Sequence, residues 1–260
     1  MGRDMSFRVL GPLDVASGSR KIPIPGGRPR SLLAALLVNA GETLTPEDLV
    51  QAVWGNSLPR QPRPALHTAL TRLRQGLDGG GAGLSRLLHT SAGGYRIDVP
   101  PGSLDLHRFR QLAQRARTAG RLGDLECERT LLADALLLWR GRPLADVRSE
   151  VLHRDVVQGL TEEWISTRER YHDVCLALGH HDEIVAGLRT LTAKFPFHER
   201  LWHQLMLALY RCGRRGEALE VYAEVRGFLR AELGVDPGAD LHRLHLAMLR
   251  TDGSLLACGA

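Results

Sequence analysis

The segment from Pro64 to Leu77 restricts this chain more than any other. Leu66, Leu70, Leu73 and Leu77 recur at i, i+4, i+7 and i+11, which places apolar side chains in one stripe along an α-helix. At about 100° per residue the opposite face carries Thr68, Thr71, Arg72 and Gln75. His67 and Arg74 flank that face, Arg63 stands at the helix entrance, and no acid interrupts it before Asp78. One side of the helix must therefore be buried against neighbours, while the other offers hydrogen-bonding and basic groups.

The surrounding pattern supplies the neighbours. Phe7–Leu10, Leu13–Ala16 and Lys21–Ile24 read as short strands separated by Gly-Pro and Ser-Gly-Ser turns. Pro29–Asn39 reads as a helix with Leu32, Leu33, Leu36 and Leu37 on one face. Thr45 then caps a helix that opens with Pro46, carries Glu47 and Asp48 in its first turn, and stops at Gly55. After the third helix, Leu87–Thr90 and Tyr95–Val99 read as a hairpin, with Gly93 and Gly94 in its turn and Tyr95 packed into the core. Sheet, three helices and hairpin make a winged helix-turn-helix plan. Pro100-Pro101-Gly102 ends it, and Leu/Ala-rich helical sequence follows.

Charge follows the same division. Residues 1–100 hold 12 Lys and Arg against 7 Asp and Glu, whereas the rest holds 22 of each, so the whole surplus of +5 lies in the first part. A localised basic surface attracts a polyanion. An Arg fork fits guanine O6 and N7, Thr methyls fit thymine, and Arg or His binds phosphate at the groove edge. Thr90 and Arg96 on the hairpin are further phosphate donors. An ordinary solvated helix face has the same composition, and the residues alone leave both readings open.

The strings LHTALTRLRQGLD and LHTSAGGYRIDV resemble the winged-helix domain of OmpR/PhoB-type regulators. Together with FRVLGPLDV, RPRSLLAALLVNAGETLTPEDLVQAVWG and the helical second half, they resemble the SARP family, the Streptomyces antibiotic regulatory proteins. The resemblance implies base reading by Arg72, phosphate contact by Arg74, a base-facing Thr68 and a phosphate-binding Thr90. Relatives often carry a wing-turn Arg that enters the minor groove, but here the turn holds Ser91-Ala92. The family further implies an activator that binds promoter direct repeats in double-stranded DNA, self-associates there, and recruits RNA polymerase holoenzyme with its sigma factor at an antibiotic or other secondary-metabolite gene cluster. The rival expectation is a helical-repeat adaptor without specific DNA binding.

In the second half, Gly179 and Gly213 are 34 residues apart. The same offset joins Tyr171 to Leu205, Cys175 to Leu209, Ile184 to Ala218 and Leu188 to Tyr222. That period fits tetratricopeptide-like helix pairs. An earlier unit is expected around Phe109, Leu112, Ala113 and Ala116, with Gly120 as its turn. The fold expected is thus mainly α: a winged-helix domain over 1–100, an all-α tetratricopeptide-like activation domain over 101–250, and a flexible tail over 251–260.

Other chemistry finds no complete constellation. His153-Arg154-Asp155 resembles a kinase catalytic loop but lacks a glycine-rich loop and Asp-Phe-Gly. His180-His181-Asp182-Glu183 reads as a charged turn rather than a metal site. Gly79–Gly83 reads as a linker, because no Gly-Lys-Ser/Thr occurs. Without that motif the ATPase module of larger family members is not expected, nor is a receiver domain. Cys127, Cys175, Cys212 and Cys258 are scattered, as befits thiols in a reducing compartment. The start, MGRDMSFRVL, lacks a secretory layout. The expectation is a cytoplasmic non-enzyme with no catalytic residue, no metal, no cofactor and no membrane contact.

Overall fold

The computed structural model describes residues 5–79, 83–251 and 255. The tail expected over 251–260 lies outside the described residues except for Thr251 and Leu255, as do Cys258, the first four residues and most of the Gly79–Gly83 linker. The described residues form two compact units. One contains those up to Arg115 with Ala133–Ile165, and the other contains Ala116–Leu132 with those from Ser166 onward.

The first unit opens with a three-stranded antiparallel sheet of β1 (Met5–Arg8), β2 (Asp14–Ser17) and β3 (Arg20–Lys21), in that order. Phe7 lies opposite Val15, and Ala16 opposite Lys21. Val9 and Leu10, expected in the first strand, are not paired within it. Val9 N and Leu10 N donate to the Asp105 carboxylate at 2.8 and 3.0 Å, while Val9 O and Leu10 O accept from Leu144 N and Arg140 N at 3.2 and 2.8 Å. A backbone group bonded elsewhere has nothing left for a sheet partner, so the strand ends at Arg8. The third strand is short because Pro23 and Pro25 lack the N–H that a ladder needs.

Three helices follow: α1 (Arg28–Val38), α2 (Pro46–Trp54) and α3 (Pro62–Leu77). Thr45 and Asp48 close a full capping box on α2, with Asp48 N donating to Thr45 Oγ1 and Thr45 N to Asp48 Oδ2, both at 3.1 Å. Helix α3 starts two residues before Pro64 because Pro62 already fits the first turn. All four leucines of its stripe are buried. Its Gly76 is needed for packing: a Cβ there would stand 2.5 Å from Pro25 Cδ.

A 3-10 turn (Leu84–Leu87) leads to the hairpin of β4 (Leu88–Ser91) and β5 (Gly94–Ile97), where Thr90 faces Tyr95. Leu44 and Tyr95 exchange both backbone hydrogen bonds at 2.9 Å, which fixes the hairpin to the start of α2. Gly94, expected in the turn, is the first residue of β5 opposite Ser91. A Cβ at Gly94 would lie 2.0 Å from the Leu44 carbonyl oxygen, and its φ is +142°. Glycine is required for close backbone approach at the hairpin's root.

Residues well beyond 100, the short helix α6 (Glu150–Leu152) among them, complete this unit's core. Leu144, Val147, Leu152, Val157 and Leu160 join Phe7, Leu10, Leu32, Leu66 and Leu70 in one buried cluster. Ser149 Oγ donates to Ala52 O at 2.6 Å, Ser31 Oγ to Arg148 O at 3.2 Å, and Leu13 N to Asp146 Oδ1 at 2.7 Å.

The second unit contains Ala116–Leu132 from α4 (Asp105–Arg121) and α5 (Leu125–Leu137), together with the part of α7 (Gln158–Leu178) from Ser166 on. It continues through α8 (His181–Lys194), α9 (Glu199–Arg211), α10 (Arg215–Leu233) and α11 (Ala239–Leu249). The period of 34 is physical. Gly179 and Gly213 both adopt positive φ, and His180 N→Cys175 O and Arg214 N→Leu209 O repeat the same bond at 2.9 Å. The earlier unit turns at Gly123 (φ +78°), not at Gly120. Gly120 lies inside α4, where a Cβ would come within 2.5 Å of Glu128 Oε2. Glu128 is five residues past its turn glycine, as Ile184 and Ala218 are past theirs. A buried carboxylate thus replaces an apolar residue, and Arg170 binds it through two bonds of 2.7 and 2.6 Å.

Candidate nucleic-acid interface

The buried stripe of α3 sets the direction of its polar face. Arg63, His67, Thr68, Thr71, Arg72 and Gln75 are all exposed, and Arg74 is half-buried. Arg72, His67 and Gln75 have no side-chain hydrogen-bond partner among the described residues, so these groups are available to an incoming ligand. Thr68 and Thr71 donate their hydroxyls to Pro64 O and His67 O at 3.0 Å. That leaves the oxygen lone pairs and methyl groups, not a proton, for any outside contact.

The remaining candidates are tied together. Arg74 Nη2 donates to Thr90 Oγ1 at 2.8 Å, joining α3 directly to the hairpin. Thr90 and Arg96 are exposed on that hairpin, and Arg96 Nη2 donates to Asp98 Oδ2 at 2.8 Å. Arg63 Nη2 stands 3.4 Å from Glu47 Oε1. Tyr95 is buried, as read from the sequence.

Sequence reasoning left out other exposed basic residues of this unit. His89 lies opposite Arg96 and reaches Asp98 at 3.3 Å, an arrangement implicit in the hairpin register. Arg60 and Arg86 are exposed with no partner among the described residues. Conversely, part of the basic surplus is structural. Arg28 donates to Val53 O at 2.6 Å and stands over the Trp54 ring, while Arg30 binds Ile24 O and Asp146.

No other chemistry is assembled among the described residues. Among the described residues no group of three or more His, Cys, Asp or Glu is placed to hold a metal ion. His180 Nδ1 is spent on Glu183 at 2.8 Å. In the kinase-like string, His153 is bonded to Val147 O and Arg154 to its neighbour Asp155. Cys127, Cys175 and Cys212 are free thiols. No described helix is long and apolar enough to cross a membrane.

Comparison with known proteins decides the family. The model "Bacterial transcriptional activator domain" matches residues 104–249, and "Transcriptional regulatory protein, C terminal" matches 26–97. The chain belongs to the SARP family of transcriptional regulators. This SARP-family chain is 34 % identical to regulatory protein DnrI of Streptomyces peucetius, covering 95 % of this chain and 93 % of that one. Regulatory protein AfsR of Streptomyces coelicolor is 40 % identical over 98 % of this chain, which spans only 25 % of AfsR. The solved structure of Mycobacterium tuberculosis EmbR, in complex with a low-affinity phosphopeptide, superposes with a TM-score of 0.89 at 29 % identity. That match covers 98 % of this chain and 68 % of that one. The SARP family is one of regulators, not enzymes.

Proposed function

We propose that this chain is a sequence-specific DNA-binding transcriptional activator acting in the cytoplasm. It binds direct repeats at a promoter, several copies together, and recruits RNA polymerase holoenzyme through its sigma factor to switch on a secondary-metabolite gene cluster. In this reading residues 1–100 are the reader, and the repeats over 101–250 are the effector. One observation carries it: the unpaired Arg72 sits at the centre of an exposed face without acids, beside a hairpin tied to the same helix by Arg74 and Thr90. Arg72 reads a base, Arg74 and Thr90 bind phosphate as a pair, and Thr68 and Thr71 offer methyl or acceptor contacts. His67, Gln75, Arg63 and Arg96 line the groove edges. With Ser91-Ala92 in its turn, the wing adds no minor-groove arginine.

The test is selection of a preferred duplex from a random pool, followed by footprinting on promoters. Arg72→Ala should lose about 1–3 kcal/mol of discrimination between the selected duplex and its single-base variants. Arg74→Ala should weaken all duplexes alike and flatten the salt dependence. Wild-type behaviour in both variants would remove the helix assignment. Binding too weak to survive physiological salt would favour the adaptor reading.

A further inference from the structure

We infer that Glu47 and Asp98 hold down sequence-independent DNA affinity by neutralising the two arginines at the borders of the α3 face. This rests on the DNA reading above and assigns it two further residues. Glu47 Oε1 lies 3.4 Å from Arg63 Nη2, with the two side chains 68 % and 80 % exposed. Asp98 Oδ2 accepts from Arg96 at 2.8 Å and lies 3.3 Å from His89 Nε2. Three other described acids of the basic half are occupied elsewhere. Asp14 pairs with Lys21 at 3.2 Å, Asp48 closes the α2 cap, and Asp78 accepts from Ser85 N at 3.0 Å. Glu42 makes no ion pair with a candidate contact among the described residues.

Exposed ion pairs of this kind contribute little to folding, and although Glu47 also suits the positive end of the α2 dipole, neither effect requires these acids to face candidate phosphate contacts. DNA gives a reason. Duplex affinity depends on how many phosphates are neutralised, and log K falls with log salt by about 0.9 for each. An arginine facing a carboxylate brings no net charge, and the carboxylate is itself repelled by an approaching phosphate. Arg72 has no such partner, so its base contact is left unattenuated while general attraction is reduced. A regulator that must find one site among a vast excess of others benefits from that separation.

The test uses the full chain and a duplex of arbitrary sequence, with affinity measured by anisotropy across a salt series. Glu47→Gln and Asp98→Asn should each steepen the log K against log salt slope by about 0.9, and the double variant by about twice that. At low salt each should bind the arbitrary duplex several-fold more tightly, with the melting temperature unchanged in Asp98→Asn and lowered only slightly in Glu47→Gln, which loses a first-turn charge on α2. Asp14→Asn makes the same charge change on the sheet and should leave the slope as it was. Wild-type slopes in both face variants, or an equal increase in Asp14→Asn, would overturn the inference while leaving the DNA reading intact. A wild-type chain that binds no duplex even at low salt would overturn the DNA reading, and this inference with it.

Discussion

In the first unit, the run from Val9 to Leu13 is held by Asp105, Arg140 and Asp146, partners 95 to 133 residues away in sequence. In the second, Cys175–His180 and Leu209–Arg214 make one turn bond twice, 34 residues apart. The second unit also repeats a clamp between its helix pairs. Arg170 and Gln204 occupy equivalent positions, and each reaches back to an earlier helix, Arg170 to Glu128 and Gln204 to Asp173 at 2.6 Å. These long-range stitches of the first unit are each made once. The second unit solves one packing problem repeatedly with near neighbours, as solenoids do. On the function proposed above, a fixed surface for reading DNA suits the first construction, and an extendable surface for partners suits the second.

The largest expected effect follows from where the first unit's core ends. A chain cut after residue 100 lacks Asp105, Asp146 and Ser149, and uncovers the apolar side chains that Leu144, Val147 and Leu152 bury. We expect residues 1–100 to show no cooperative unfolding transition, whereas the full chain shows one. A sharp calorimetric transition in the fragment would mean that the long-range stitches are dispensable, and the contrast between the units would fail.

Next in size is a pair of glycines. Gly94→Ala drives a methyl group into the Leu44 carbonyl from a backbone already at φ +142°. The cost should approach the roughly 4–5 kcal/mol that marks exceptional single substitutions. Gly213 also has positive φ, at +76°, but no atom lies within 4 Å of the added Cβ. Gly213→Ala should cost about 1 kcal/mol, the conformational part alone. Denaturant unfolding of both variants compares a unique close approach directly with a repeated turn.

The same contrast explains what could be read from the sequence. The α3 stripe, the Thr45 cap and the 34-residue period are local patterns, and each is present in the structure. The misplaced strand ends were not legible, because Val9 and Leu10 lose their backbone groups to residues that no local window contains. Gly120 reads as the turn because Glu128, a buried acid, breaks the apolar pattern that points to Gly123. On the candidate interface, charge identified Arg63 and Arg96 but not the acids facing them, since pairing across a hairpin or between helices needs the fold first. Arg28 and Arg30 were part of a basic surplus that fold contacts partly consume.

Titration should separate the units further. His172 is buried in the second unit, where burial first and the neighbouring Arg168 next push its imidazole down to about 4, against hydrogen bonding from Gln204 and the charge of Asp173. A lowered histidine binds its proton more readily when unfolded, so its contribution is present at neutral pH. It is lost as pH falls from about 6.5 toward 4. The loss should reach about 2 kcal/mol by roughly pH 5. Hydrogen exchange of α9 amides reads this directly, and His172→Gln should flatten the dependence. An unchanged slope in that variant would place the sensitive group elsewhere.

The smallest effect tests the local signal on the first unit. Helix α2 begins with a side-chain cap, whereas α8 to α11 begin at His180, His198, Arg214 and Gly238 with none. Thr45→Ala should therefore cost about 1 kcal/mol. The hydroxyl and amide of Thr45 both hold the Asp48 carboxyl below its ordinary value of 3.8. A lowered carboxyl stabilises above that pH, and its contribution fades as pH falls through the lowered value. The Thr45→Ala penalty should thus shrink in acid, because the 2.7 Å bond that the Thr45 hydroxyl donates to the Asp48 carboxylate is already weakened there. A penalty that stays constant with pH would assign the loss wholly to the bond from Asp48 N to Thr45 Oγ1, with nothing from the bond between the Thr45 hydroxyl and the Asp48 carboxylate.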